Sequence, residues 1–152
     1  MISKDNLKRE VKVYNKITQA KDTYRIIEEF PFDGDRKRMS IILKNLKDKQ
    51  VIMMSKGADM SMIDRIDFAK NDFEELKLML EEDIAQYSKE GLRTLVIASK
   101  TLTRKEYKLL KRDLKKVSKL NCIEKEIRLA EIQNKYERNL KYIGVTAVED
   151  KL

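Results

Sequence analysis

The spacing of apolar residues changes period along this chain, and that change limits the folds open to it. Over Val11–Ile17 and again over Tyr24–Glu29, apolar and polar residues partly alternate, the pattern of a half-buried strand. Met39–Leu43 and Val51–Ser55 repeat the pattern, joined by the polar stretch Lys44-Asn45-Leu46-Lys47-Asp48-Lys49-Gln50. These four segments predict a β-meander, with Asp22 in the turn between the first two strands. Further on the period lengthens. Phe73, Leu76, Leu80, Ile84 and Tyr87 fall on one face of a helix over residues 72–90. Gly91 stands where a left-handed residue would end it.

A short helix is expected at Met60–Ile66, with Asp59 or Ser61 to cap its start. Thr94–Ala98 is aliphatic and β-branched, hence a central strand. Thr103-Arg104-Lys105-Glu106 matches a capping box, and Tyr107, Leu110, Leu114 and Val117 carry a helical stripe behind it. Leu129, Ile132, Tyr136 and Leu140 mark another helix from about Ile123 to Asn139, and Tyr142–Val148 returns to strand character. Strands, then helices, then a late strand describe an α+β domain with a largely antiparallel sheet and helices packed against it. Only 4 glycines and 1 proline leave little room for long loops. No G-x-G-x-x-G or phosphate-loop motif is present, which argues against a doubly wound nucleotide fold.

Composition narrows the chemistry. With 41% hydrophobic residues among 152, a single domain has enough apolar side chains for a core. A net charge of +8 suits an anionic partner without choosing between nucleotide, nucleic acid and membrane surface. The absence of histidine removes histidine-based catalysis and the common zinc sites from this chain. A single cysteine, Cys122, excludes an internal disulfide. No apolar run approaches the ~20 residues that a transmembrane helix needs, and the N-terminus lacks the apolar core of a signal peptide.

Two stretches stand out as candidate ligand contacts. Phe30-Pro31-Phe32-Asp33-Gly34-Asp35-Arg36-Lys37-Arg38-Met39-Ser40 sets aromatic rings beside a cationic cluster, and Lys56-Gly57-Ala58-Asp59 follows at the end of the next strand. A ring to stack on a base, with cations for phosphates, is what a nucleotide surface needs when it lacks a glycine-rich loop. Each feature also has a plain structural reading. A strand phenylalanine is ordinarily core, although the Asp33-Gly34-Asp35 turn sets Phe32 near an edge. Arg36, Lys37 and Arg38 also make a solvated strand end. Lys56-Gly57 could be a surface lysine beside a turn glycine, and Arg93 in Gly91-Leu92-Arg93-Thr94-Leu95 either a phosphate clamp or a surface ion-pair partner. The basic face from Arg104 to Lys116 reads as solvated, or as a nucleic-acid surface with Tyr107 as its one aromatic. No catalytic constellation is visible.

These stretches, in order, resemble a known family. Phe32, then Arg36-Lys37-Arg38-Met39-Ser40, Lys56-Gly57-Ala58-Asp59, Glu90-Gly91-Leu92-Arg93-Thr94-Leu95 and Gly144–Leu152 match the nucleotide-binding (N) domain of phospholipid-transporting P-type ATPases, the type IV lipid flippases. The resemblance runs from about Tyr24 onward. It implies ATP as ligand, with Phe32 stacked on adenine, Lys56 in the pocket and Arg93 reaching toward the phosphates. Arg36, Lys37, Met39 and Gly57 would line or support that pocket. It also implies a division into a ragged segment (residues 1–10), the nucleotide-binding domain (11–143) and a hinge toward a phosphorylation domain (144–152).

The partners so implied are the phosphorylation and transmembrane domains of a flippase. Neither the phosphorylated-aspartate segment nor the magnesium region of that family occurs here, so the chain is expected to be a fragment or truncated product. Its place would be the cytoplasmic side of a membrane-integral parent, with neither membrane insertion nor nucleic acid expected. Mg2+ would belong to the family, with no ligands for it in this chain. Such a module should bind ATP, with a dissociation constant on the order of 0.1–1 mM, and hydrolyse none. Asp33, where the family commonly has a small polar residue, adds a charge expected to weaken phosphate attraction. The alternatives are a basic nucleic-acid-binding module using Arg104–Lys116, or a ligand-free interaction domain.

Overall fold

Six strands pair in chain order, β1-β2-β3-β4-β5-β6, every neighbouring pair antiparallel. The computed structural model describes residues 9–68 and 73–150. The strands are β1 (Glu10–Tyr14), β2 (Lys21–Asp33), β3 (Arg38–Asn45), β4 (Val51–Gly57), β5 (Arg93–Leu102) and β6 (Lys141–Val148). Between β4 and β5 lie α1 (Asp59–Met62), a 3-10 turn (Ile63–Arg65) and α2 (Phe73–Lys89); between β5 and β6 lie α3 (Arg104–Val117) and α4 (Cys122–Tyr136). The expected α+β class with a largely antiparallel sheet is the fold found.

Alternation within the strands divides the sheet into two faces. In β3, Arg38, Ser40 and Ile42 are buried; their cross-strand partners in β4, Gly57, Ser55 and Met53, are buried too. Val96 and Ala98 of β5 continue that face. The helices cover it: Leu80 from α2, Leu110 and Val117 from α3, and Ile132 and Tyr136 from α4 join Ile42, Met53 and Val96 in one core. Each such side chain, fully buried, contributes roughly 1.5–3 kcal/mol. Met39, Ile41, Met54, Lys56 and Ile97 occupy the opposite face and are only partly covered or exposed.

The capping box forms at α3, with the Thr103 hydroxyl accepting from Glu106 N and the Glu106 carboxylate accepting from Thr103 N. Gly91 adopts φ 72°, and its carbonyl-side neighbours lead directly into β5.

Some local expectations are corrected. The first strand stops at Tyr14 because the Asn15 carboxamide accepts the backbone N–H of Ile17 and Thr18, closing a turn instead of extending the ladder. Asp22 consequently lies inside β2, opposite Val13, and not in the turn. Neither Asp59 nor Ser61 caps α1: the cap residue is Ala58, without a side-chain bond. Ser61 instead donates to the Arg36 carbonyl at 2.7 Å. β5 is interior but lies fifth of six, not at the centre. α4 ends three residues before Asn139, with Glu137 as its cap. The ragged segment falls outside the described residues up to position 8; Glu10 opens β1. Asp72 and the side chain of Phe73 in the α2 stripe also lie outside them, as do Lys151 and Leu152.

Candidate functional site

A cavity of about 410 Å3 opens on the uncovered face, across β2, β3, β4 and β5. That volume is within the range of about 300–1,000 Å3 typical of small-molecule pockets. Met39 and Lys56 are directly paired across β3 and β4, and Ile97 of β5 pairs with Lys56 on its other side. Together with Ile41, Met54 and Pro31 they make an apolar floor, with Lys56 as its cation and Glu29 as a carboxylate at its rim. Glu29 is bound to Arg9 at 3.0 Å.

Phe32 follows the lining residue Pro31 in β2 but is not itself among the cavity's lining residues. Its ring is 60% exposed, whereas Phe30 is 1% exposed on the covered face. The difference comes from a bulge. Between the pairs Phe30↔Ser40 and Asp33↔Arg38, β2 spends two residues, Pro31 and Phe32, where β3 spends only Met39. A bulge re-aims the chain and breaks the alternation that would otherwise fix each side chain's face.

The turn that follows is closed locally. The Asp33 carboxylate accepts from the backbone N–H of Asp35 (2.7 Å) and of Arg36 (3.3 Å). Those two bonds hold the Asp33 carboxyl below its ordinary pKa. The charge expected to repel phosphates is therefore engaged in building the turn. Lys37 has φ 53° and is exposed, and its carbonyl accepts from Ala58 N at 3.0 Å.

Gly57 permits this contact. A Cβ there would lie 2.5 Å from the Arg38 Cβ and 2.6 Å from the Lys37 carbonyl oxygen, so only glycine lets the end of β4 lie against the start of β3. Gly57 supports the site from the covered side.

Arg93 shares the uncovered face. The ladder between β5 and β6 is unbroken from Arg93 to Ile97, so these two residues, four apart, point to the same side. They are separated by roughly 13 Å along the strand. Arg93 is 78% exposed and paired with Asp150 at 2.7 Å. The spread from Phe32 through Lys56 to Arg93 suits a ligand with a flat apolar end and an anionic tail.

Arg36 goes elsewhere. Its guanidinium donates to the Pro31 carbonyl at 3.1 Å and to the Glu137 carboxylate. Burial pulls its pKa down, while the Glu137 charge opposes that shift. Glu137 is completely buried and accepts from Arg38 Nε at 2.6 Å and from the Ser40 hydroxyl at 2.7 Å. Arg38 further reaches Ser61 and Asn134, and Arg65 donates to the Glu137 carbonyl. This buried polar cluster was missed in the sequence. No local signal marked it: Glu137 lies beside the stripe of Ile132 and Tyr136 without being part of it, and its partners Arg36, Arg38 and Ser40 are far away in the chain.

The basic face of α3 is exposed at Arg104, Lys105, Lys108, Lys111, Arg112, Lys115 and Lys116. Its one aromatic, Tyr107, is half-buried against the core and lies under the Lys111 ammonium.

Residues 6–152 match the family model described as P-type ATPase, cytoplasmic domain N. The chain is 36% identical to "Phospholipid-transporting ATPase 10" of Arabidopsis thaliana over 129 residues, which is 85% of this chain and 10% of that protein. It is 36% identical to "Phospholipid-transporting ATPase NEO1" of Saccharomyces cerevisiae over 130 residues (85% and 10%). It is 33% identical to "Probable phospholipid-transporting ATPase IIB" of Mus musculus over 130 residues (86% and 11%). The chain thus spans about a tenth of the length of the curated relatives it matches.

Proposed function

The chain belongs to the cytoplasmic N domains of P-type ATPases, of the type IV kind, and on that footing we propose that it is an ATP-binding module serving phospholipid transport. Phe32 supplies the face for adenine, Lys56 a cation within the cavity, and Arg93 a second cation for the phosphates. Met39 forms part of the floor. Lys37 flanks the pocket from the turn, while Arg36 and Gly57 hold the strands that carry it. The observation that supports this most is the direct pairing of Met39 with Lys56 on an uncovered face, beside a ring that a bulge turns outward.

Positioning and charge stabilisation dominate phosphoryl transfer. A module of this kind presents the nucleotide, while the phosphorylation domain of a parent transporter receives the γ-phosphate and the membrane domain moves lipid. No group of three or more carboxylate or thiol ligands gathers among the described residues. Mg2+, which the family implies, would be held by the nucleotide phosphates and the phosphorylation domain of a parent transporter, since that ion commonly takes only one or two protein carboxylates.

Titrating ATP into the isotopically labelled protein and following amide resonances tests the proposal. Shifts concentrated at Phe32, Lys56 and Arg93 are expected, with a dissociation constant on the order of 0.1–1 mM. Shifts confined to α3 with an oligonucleotide, lost steeply on adding salt, would favour a nucleic-acid surface instead. Saturation with neither ligand would leave an interaction domain.

A further inference from the structure

The buried carboxylate of Glu137 lies on the opposite side of the sheet from the cavity, yet it is joined to the ring-bearing bulge by one side chain. Arg36 bridges the two, donating to Glu137 and, at 3.1 Å, to the carbonyl of Pro31, the residue that immediately precedes Phe32. The Pro31 carbonyl lies in the bulge, where the β2–β3 register shifts between Phe30 and Asp33. Arg36 therefore restrains this segment from its own side, in addition to the flanking ladder pairs Phe30↔Ser40 and Asp33↔Arg38 and the Asp33 turn beyond Phe32.

We infer that Glu137 is a positioning residue for the nucleotide, acting through Arg36 and the Pro31 carbonyl to fix the orientation of the Phe32 ring. The inference rests on the reading of Phe32 as the adenine platform. Its physical basis is entropic. A ring that is 60% exposed and borne on a bulge has few packing contacts of its own to hold it, so stacking on it would have to order it as well. A guanidinium anchored to a fully buried carboxylate supplies that order beforehand. Ser40 and Arg38 fix the carboxylate itself, at 2.7 Å and 2.6 Å. It thus acts as a fixed post from which Arg36 reaches the bulge. Glu137 also caps α4 and lies four residues before β6.

Glu137→Gln keeps the shape and removes the charge that orients Arg36. Arg36→Lys keeps a cation for Glu137 but replaces the rigid two-nitrogen fork, whose separate arms meet Glu137 and Pro31, with a shorter single-point ammonium, so the Pro31 bond is expected to be lost. Two readouts apply after far-ultraviolet circular dichroism confirms a native fold. In the ligand-free protein, either variant should shift and broaden the amide resonances of Phe32, Asp33 and Gly34, while those of Arg93 and Thr94 stay in place. In ATP titrations either variant should weaken binding about fivefold, and should cost nothing further in a Phe32→Ala background.

Unmoved resonances at Phe32–Gly34 would overturn the inference, as would an equal loss of affinity with and without the Phe32 ring. If the unaltered protein does not bind ATP, the functional reading fails by itself, and the ligand-free spectra still decide whether Glu137 orders the ring. Should Glu137→Gln not fold, Arg36→Lys alone carries the test.

Discussion

Two arginine–carboxylate groupings lie on opposite faces of the same sheet. Arg36 and Arg38 meet Glu137 beneath the helices, where Arg38 and the carboxylate are almost or entirely excluded from water. Arg93 meets Asp150 on the uncovered side, where both partners are more than half exposed. The first set is committed. Its charges have lost their hydration and are held by each other and by Ser40, Ser61 and Asn134. The second is loosely held, because water competes for both ions at little cost. Alternation along β3 and β4 thus gives one face to the core and leaves the other open for the ligand proposed above, and the same residue type stands on both.

The two phenylalanines of β2 test this division most severely. Phe30 is buried in the core, so Phe30→Ala should cost about 3–5 kcal/mol in urea unfolding. That is a large share of the roughly 5–15 kcal/mol that holds a domain together. Phe32→Ala, two residues away, should leave the urea midpoint nearly unchanged and weaken ATP binding by about 1–3 kcal/mol, the value of stacking a base on a ring. Comparable unfolding losses for both variants would show that the bulge does not separate core from ligand face.

Next in size is Arg38→Met, which keeps apolar bulk while removing one guanidinium from Glu137. The buried carboxylate would retain Arg36 and Ser40 but lose its 2.6 Å bond, so a loss of about 3 kcal/mol is expected in the same assay. Stability equal to the parent would mean that Glu137 is not held as a charged group at that position.

The division was only partly legible in the sequence. Periodicity disclosed the strands, the long helices and the α3 capping box, because each depends on residues close together in the chain. The family-like motifs marked Phe32, Lys56 and Arg93 for the same reason: each lies in a short recognisable string. The sequence did not disclose which of three consecutive cations faces which side. Arg36, Lys37 and Arg38 look alike in a string, but one anchors the bulge, one occupies a turn at φ 53°, and one is buried against an acid 99 positions away. Long-range polar contacts have no local period. Glu137 was for that reason invisible, while the apolar stripe on either side of it was plain. Gly57 was read as a neighbour of the ligand, and its close approach to Arg38 and Lys37 needed the register of β3 against β4 to be known.

Lys56 sharpens the comparison from the ligand side. It is exposed, and its neighbours across both strands are Met39 and Ile97, neither of which can pair with its charge. Lys56→Ala should change stability by less than about 0.5 kcal/mol while weakening ATP binding about tenfold, or about 1.4 kcal/mol. Calorimetric titration measures the second quantity and urea unfolding the first. Unchanged affinity would remove this lysine from the site.

Asp150→Asn should produce the smallest change and test the loosely held pair directly. The 2.7 Å contact between Arg93 and Asp150 has good geometry, but solvent surrounds both groups, so removing the carboxylate should cost less than about 1 kcal/mol of stability. The ligand should feel the opposite sign. Asp150 neutralises part of the cation proposed to meet the phosphates, and freeing the guanidinium should tighten ATP binding about twofold at low salt, with the gain fading as ionic strength rises. That sign separates the two arginine groupings. Removing an acid from a committed pair loosens the protein, whereas removing one from an available pair improves the ligand's hold. If Asp150→Asn weakened binding, the carboxylate would be orienting Arg93, and the exposed pair would belong with the buried one as part of the scaffold.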